Sequence, residues 1–472
     1  MREKLTGKKY KEGFATLEIL IAFVILILCI GAVIMVIFGG QSVAVDSQNN
    51  SEAISKAQKL LEEARATSRF DFNLVNPSSQ IEMSGPLAFT KELAVRQVDL
   101  FTKQATATVS WSSGGRLLSV FFTTLLTNLE AVYGGNTCNS ILAGDWANPL
   151  LLGDIDVGEN NGATDVDVFM DKAYVTADPS ATPKEDFYVI DVSNPHLSPL
   201  PIIGGNGIHT GEGLEAVHVS NKYAYVANRS INGQLQVIDI QVAPPQLVKT
   251  FKITAVTGNG AYGKSIFYKN GYVYLGLYNT DSGPEFNIID VSNPLNPIWK
   301  GGYPVSHEIN AIYVRDGFAY IASPHNSELI ILDISNPTNP VLAGEADLFN
   351  NSSNGKSMAI VGNALYLGRT KDSSPPTDEL QLIDITNPSM PTLGISADIG
   401  STINAMTIRD NLAFMTTNDP SLGFQIWNLD TQTLYGSDTV EQTSTGGMDC
   451  EGNFIYIAQR SNKALQIVGP GP

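Results

Sequence analysis

EAVHVSNKYAYVAN fills Glu215–Asn228, and seven residues on LQVIDIQVAPP begins at Leu235. In AVHV, YAYVA and LQVID apolar residues return at every second position, the period of a strand and not of a helix. Ser-Asn-Lys breaks the first two runs and Pro-Pro ends the third, so three short antiparallel strands are expected here, with a fourth beyond the prolines. The pattern does not stand alone. FYVIDVSNP, FNIIDVSNP, LIILDISNP and LQLIDITNP begin at 187, 286, 329 and 380, and degenerate copies FQIWNLD and LQIVGPG begin at 424 and 465. The aromatic of YAYVA recurs at Tyr174, Tyr225, Tyr274, Tyr320, Tyr366, Phe414 and Tyr456, at spacings of 42 to 51 residues. Seven repeats of this length predict one four-stranded sheet each.

The last copy stops at the end of the chain without a fourth strand, while NPLLLGDID at 148–156 is a strand with no repeat before it. Supplying 148–156 to the seventh sheet would close a ring and remove an exposed edge. The expectation for 148–472 is therefore an all-β, seven-bladed β-propeller. These motifs resemble the LVIVD repeat family, a β-propeller group of extracytoplasmic proteins. The likeness is strongest in repeats one to five and weaker in six and seven. It implies a fold and little about activity.

The N-terminal part has another period. Between Phe14 and Phe38 the chain is apolar apart from Glu18, behind the basic leader MREKLTGKKYKEG. Twenty-five helical residues span about 37 Å, more than the roughly 30 Å of a bilayer core. The run predicts a transmembrane helix over 14–40, and the leader's lysines keep the N-terminus cytoplasmic and send the rest outward. The run is longer than the 7 to 15 apolar residues of a cleaved secretory signal.

A short basic leader ending in Gly13, then Phe14, then an apolar helix with Glu18 at the fifth position after the glycine, resembles type IV prepilins and pseudopilins. The resemblance implies cleavage after Gly13 by prepilin peptidase and N-methylation of Phe14. It also implies a partner for Glu18, the new amino terminus of a neighbouring pilin subunit in a filament. Met35 stands where major pilins often carry proline, which points to a minor subunit.

From Gln41 to Arg69 there is no Pro or Gly, and Ala53, Ile54, Ala57, Leu60, Leu61 and Ala64 recur at helical spacing. Strands are expected at 93–100, 105–111 and 117–126, the last two joined by a Ser-Ser-Gly-Gly turn at 112–115. The fold class expected for 41–132 is a pilin-like α+β unit, an amphipathic helix on a small antiparallel sheet, similar to minor pilins and pseudopilins of the PilV and type II secretion I kind. Residues 133–147 read as a linker.

Composition narrows the function classes. Charged residues are 16% of the chain, below the roughly 25% of an average soluble protein. Residues 1–135 hold 13 basic and 12 acidic side chains, and 136–472 hold 16 and 35. An acidic propeller offers no basic face to nucleic acid. Cys29 lies in the apolar run, leaving Cys138 and Cys450, too few for a disulfide framework. Both belong near blade seven, and their pairing stays open.

No catalytic or metal-ligating constellation emerges. Asp191, Asp239, Asp290, Asp333 and Asp384 recur at one position of the repeat, which suits a turn device. His196, His209, His218, His307 and His325 have no ligand spacing, and DIDVGEN at 154–160 resembles a calcium loop only in part. Aligning the blades on the aromatic places Thr164, Glu215, Lys264, Asn310, Lys356, Asn404 and Gly446 equivalently, just before each inner strand. Apolar residues are missing from all seven, so a polar binding ring is expected at a propeller mouth.

The sequence thus predicts a non-enzymatic, cofactor-free minor pilin-like subunit. It would insert in the cytoplasmic membrane by a single pass with its C-terminus outside, then assemble into a pilus at the cell surface and recognise a surface protein or glycan. The alternatives are a secretion pseudopilin contacting exported substrates and a membrane-tethered enzyme on a propeller scaffold.

Overall fold

The computed structural model describes residues 12–472 except 71, 73–74, 100–101, 128–137, 139–141, 158–160, 180–183, 221, 325–326, 349–353, 372–377, 439–444 and 462. The side chains of 12–22, 31–45, 69–70, 97, 99, 102, 127, 179 and 445 also lie outside the description. The chain forms two compact units, Met1–Asn128 and Leu129–Pro472.

In the first unit, helix α1 (Glu12–Phe70) is followed by strands β1 (Ser78–Ser84), β2 (Leu87–Asp99), β3 (Thr102–Ser113) and β4 (Arg116–Thr127), an antiparallel sheet in sequential order. Ala53, Ala57, Leu60, Leu61 and Ala64 of α1 are buried against Phe89, Leu93, Ala105, Ala107, Val109 and Trp111. Three alanines on that stripe, facing two on β3, let backbone approach backbone while the leucines and Trp111 fill the remaining volume. Gly114 and Gly115 both take positive φ (56° and 77°), the pair of left-handed residues a two-residue hairpin needs. β1 was not expected. Its side chains are mostly exposed, and an edge strand carries no core-facing alternation to reveal it.

The expected span over 14–40 falls on side chains outside the description, apart from 23–30. Among the described residues no helix is long and apolar enough to cross a membrane. Gly13, Phe14 and Glu18 lie within α1, and their side chains are outside the described set.

The second unit holds seven sheets. Six are four-stranded and one, the first, is three-stranded. Their inner strands are Asn161–Val168, Leu214–Ser220, Gly263–Lys269, Ala311–Arg315, Gly355–Val361, Ile403–Arg409 and Thr445–Glu451. Each packs on the next, and the seventh packs on the first, so the blades form a closed ring. β5 (Asp145–Ile155) is the outer strand of the seventh sheet, pairing antiparallel with Leu465–Gly471. The repeat that ends without a fourth strand is completed by the segment that precedes the first repeat.

Blade one departs from the expected four strands. Beyond Asp191 the chain reads VSNPHLSPLPIIGG, and its prolines at 195, 199 and 201 supply no N–H for a ladder. Two isolated bridges, Ile190 to Ile202 and Phe187 to Ile208, stand in for the missing strand.

Three devices recur. The third-strand aspartates turn the chain: Asp191, Asp239, Asp290, Asp333 and Asp384 each accept a backbone N–H two residues on, at 2.8 to 3.0 Å. Just before the third strand a buried acid or amide ties down the loop into the next blade. Glu285 accepts the N–H groups of Val305 and Ser306, Glu328 that of Leu348, Glu379 those of Ile399 and Gly400, and Gln234 that of Ile253. Glycine in an outer strand lets the neighbouring blade come close. A Cβ on Gly153, Gly301 or Gly344 would lie 2.4, 2.8 or 2.3 Å from the carbonyl oxygen of Pro195, Pro337 or Pro388.

Candidate functional site

Each inner strand leaves one edge unpaired toward the ring axis, and side chains of the adjacent blade bond to it. Asp165 and Asp167 accept the N–H groups of Val217 and Val219 at 3.0 and 2.6 Å. Asp449 accepts that of Val168 at 2.6 Å. Further round, Ser265 donates to the Ile309 carbonyl at 2.9 Å and Lys269 to that of Val314 at 3.0 Å. The carboxylates concentrate where blade seven meets blade one. Burial pushes Asp165 and Asp449 up to about 7, and burial together with the Asp449 charge raises Asp167 well above the usual range.

Strand direction fixes the two ends of the ring. Inner strands start, second strands end and outer strands end at one face, which carries the longer loops; the other carries the short inner-strand turns and the Asn-Pro turns. The expected ring residues all stand at the start of inner strands. They do not behave alike. Thr164 is buried, its hydroxyl donating to the Leu214 carbonyl at 2.8 Å, and Asn310 donates to that of Gly355 at 2.7 Å. Asn404 donates to Asn418 at 2.6 Å. Glu215, Lys264 and Lys356 form the charged part.

Around these three lies a second ring that the sequence reading missed. Four residues after each blade's aromatic stand Asp178, Arg229, Tyr278, Pro324, Thr370, Asn418 and Arg460. Antiparallel pairing brings the end of a second strand beside the start of the inner one, so the same alignment, read four residues on, would have found them. Arg229 Nε lies 3.0 Å from Glu215 and its guanidinium also pairs with Asp178. Arg460 of blade seven reaches across to Glu215 of blade two at 3.3 Å and Asp178 at 3.9 Å. Lys264 pairs with Glu308.

Tyr262 and Tyr278 stack in parallel, centroids 5.1 Å apart at 9°. Arg229 lies 5.9 Å from the Tyr262 centroid and Lys264 lies 5.0 Å from that of Tyr278. Two cations are thus fixed at set positions by ring faces that attract them. Lys356 is different. Among the described residues its ammonium has neither salt bridge nor hydrogen bond. Burial, and then the charge of Lys264, hold it below the usual lysine range.

Asp154 is held by Lys463 at 2.9 Å, and His218 packs on Phe267 with rings 4.9 Å apart. His325 lies outside the described residues. Cys138 and Cys450 form a disulfide, their Cα atoms 5.1 Å apart. With Asp449 they are the one group of three potential metal ligands among the described residues, and both sulfurs are engaged in the bridge.

Residues 215–250, 261–305, 309–347 and 356–398 match the LVIVD repeat. These are blades two to five. Blade one, expected among the clearest copies, is outside the match, in keeping with its missing strand. No curated protein matches the chain. Among solved structures, the β-propeller domain of Cps50 (Swd1) from Myceliophteria thermophila is similar at 11% identity and a TM-score of 0.50, over 68% of this chain and 100% of that one. Virginiamycin B lyase from Staphylococcus aureus is similar at 11% identity and a TM-score of 0.50, over 68% and 98%. At such identity the likeness is one of fold alone. The chain therefore carries LVIVD repeats in a β-propeller, and neither comparison bears on its first unit.

Proposed function

We propose that the chain is a minor type IV pilin-like subunit that displays its propeller for recognition of a surface ligand. Prepilin peptidase cleaves after Gly13, Phe14 becomes the methylated N-terminus, and Glu18 meets the amino terminus of a neighbouring subunit during assembly from the cytoplasmic membrane. The observation that carries the display reading is the direction of β5. Its first residue, Asp145, pairs with Gly471 at the short-turn face, and its last, Ile155, pairs with Leu465 at the mouth face. The chain enters the ring at one face, and the charged rings lie at the other.

The described part of the apolar run also supports assembly. Phe23 to Leu28 and Ile30 are exposed on all sides of α1, and a helix that is apolar all round requires lipid or other helices to cover it. Mass spectrometry of the protein recovered from cells tests the reading: a mature form starting at methylated Phe14, lost on Gly13→Val, is expected. An N-terminus left at Met1 in a strain with active prepilin peptidase overturns it. Immunogold labelling of sheared filaments with antibody to the propeller then separates a filament subunit from a protein retained in the membrane.

A further inference from the structure

Resting on that display reading, we infer that the mouth face binds a sugar carrying a single carboxylate, whose charge is met by the Lys356 ammonium. Among the described side chains of the two rings, taken with Glu308, the charges do not balance. Arg229, Arg460, Lys264 and Lys356 face Asp178, Glu215 and Glu308, and every one of those carboxylates is engaged by Arg229, Arg460 or Lys264. The surplus falls on Lys356. Lys356 is half-buried; burial and the charge of Lys264 of blade three disfavour its own charge, Glu308 favours it, and Arg460 of blade seven disfavours it.

A formal charge of -18 surrounds this local excess. Beyond a Debye length of about 8 Å at physiological salt the remote acids are screened, so an anion at the mouth meets the nearby cations first. A polyanion would extend past that distance and meet the acidic surface. The combination selects a ligand with one negative charge and an otherwise neutral body.

The neutral groups indicate what that body is. Asn310, Asn404, Asn418 and Thr370 share the two rings with the charges, and apart from Pro324 and Gly446 every ring position is polar. Hydroxyls are matched by such donors and acceptors. A peptide bound as an added strand needs a free strand edge, and here the inner edges near the axis are occupied by side chains of the adjacent blade.

The test titrates full-length protein in detergent with a glucuronate-terminated disaccharide, with its glucose-terminated counterpart, and with a peptide ending in a free carboxylate. The expected result is binding of the glucuronate sugar alone, weakened by added salt, about tenfold weaker in Lys356→Met and retained in Lys356→Arg, while Lys222→Met on the opposite face changes nothing. Equal binding of the neutral sugar, preference for the peptide, no sugar binding at all, or an unaltered Lys356→Met overturns it. Attachment of cells bearing each variant is measured alongside. Attachment that survives Lys356→Met removes this inference and leaves the display reading intact; sugar binding without any attachment removes the display reading and leaves this one.

Discussion

Arg369 donates to Glu328 Oε1 at 3.0 Å with both side chains buried, joining the loop-anchoring acid of blade four to the second strand of blade five. Glu328 also accepts the Leu348 N–H, so one carboxylate fixes a loop and a blade interface together. Removing one partner of a buried pair leaves an uncompensated charge, which costs about 3 to 5 kcal/mol. Arg369→Met is expected to lower stability by about that amount in urea unfolding, and adding Glu328→Gln is expected to recover part of it. A single substitution within 1 kcal/mol of the parent would show that the pair contributes little.

The seam between blades seven and one predicts an acid-side optimum. Burial raises Asp165 and Asp449 to about 7 and, with the Asp449 charge, raises Asp167 well above the usual range, so the folded ring keeps protons that the unfolded chain gives up near pH 4. Stability should therefore fall as pH rises from about 4 to about 7 and level off once the seam has ionised. The turn acids Asp191, Asp290, Asp333 and Asp384 are shifted the other way by hydrogen bonds from the following Ser or Thr, so they remove stability as pH drops below about 4. Asp449→Asn keeps an acceptor for Val168 and should flatten the decline between pH 4 and 7. A urea midpoint with the same slope in both proteins would contradict this.

Cys138 and Cys450 are 312 positions apart in sequence, and their bond joins the segment before β5 to the inner strand of blade seven. A cross-link of this kind typically contributes about 2 to 4 kcal/mol, in the chain-entropy view by restricting the unfolded state. Reductant should lower the melting temperature of the parent protein and leave Cys138→Ala unchanged. Equal responses from the two would show that the bond carries no stability.

Gly344 has no room for a side chain, since a Cβ would meet the Pro388 carbonyl at 2.3 Å. Backbone cannot swing aside as a flexible side chain does, so Gly344→Ala should force blades four and five apart and lower stability by about 1 to 3 kcal/mol. The urea midpoint reads this directly, with the slope of the transition unchanged.

The propeller was legible because each blade repeats the same local chemistry: alternation in AVHV, YAYVA and LQVID, and an aspartate that turns the chain. What the alignment could not give is what strand pairing creates. Asp178, Arg229, Tyr278 and Arg460 stand four residues after the aromatic, and the antiparallel second strand brings them to the start of the inner strands, where Arg229 and Arg460 meet Glu215 and Asp178, and Tyr278 meets Lys264. Glu285, Glu328 and Glu379 are similar: a carboxylate before a strand looks like an exposed loop residue until the loop it holds is seen. Blade one was over-read from FYVIDVSNP, and the prolines that follow the motif carried the missing information. The disulfide stayed open in sequence because placing both cysteines near blade seven does not fix the distance between them, which the fold sets at 5.1 Å between Cα atoms.

That bond also sets how the ring would bear a pull. Tension arriving along the chain from the N-terminal side meets Cys138 before it meets Asp145, and crosses to Cys450 on the inner strand of the seventh sheet. β5, which would otherwise be peeled from its neighbour one hydrogen bond at a time, is bypassed. An appendage dragged through moving fluid while its far face grips a surface would then load a covalent path into the hub, and the outermost clasp would stay slack.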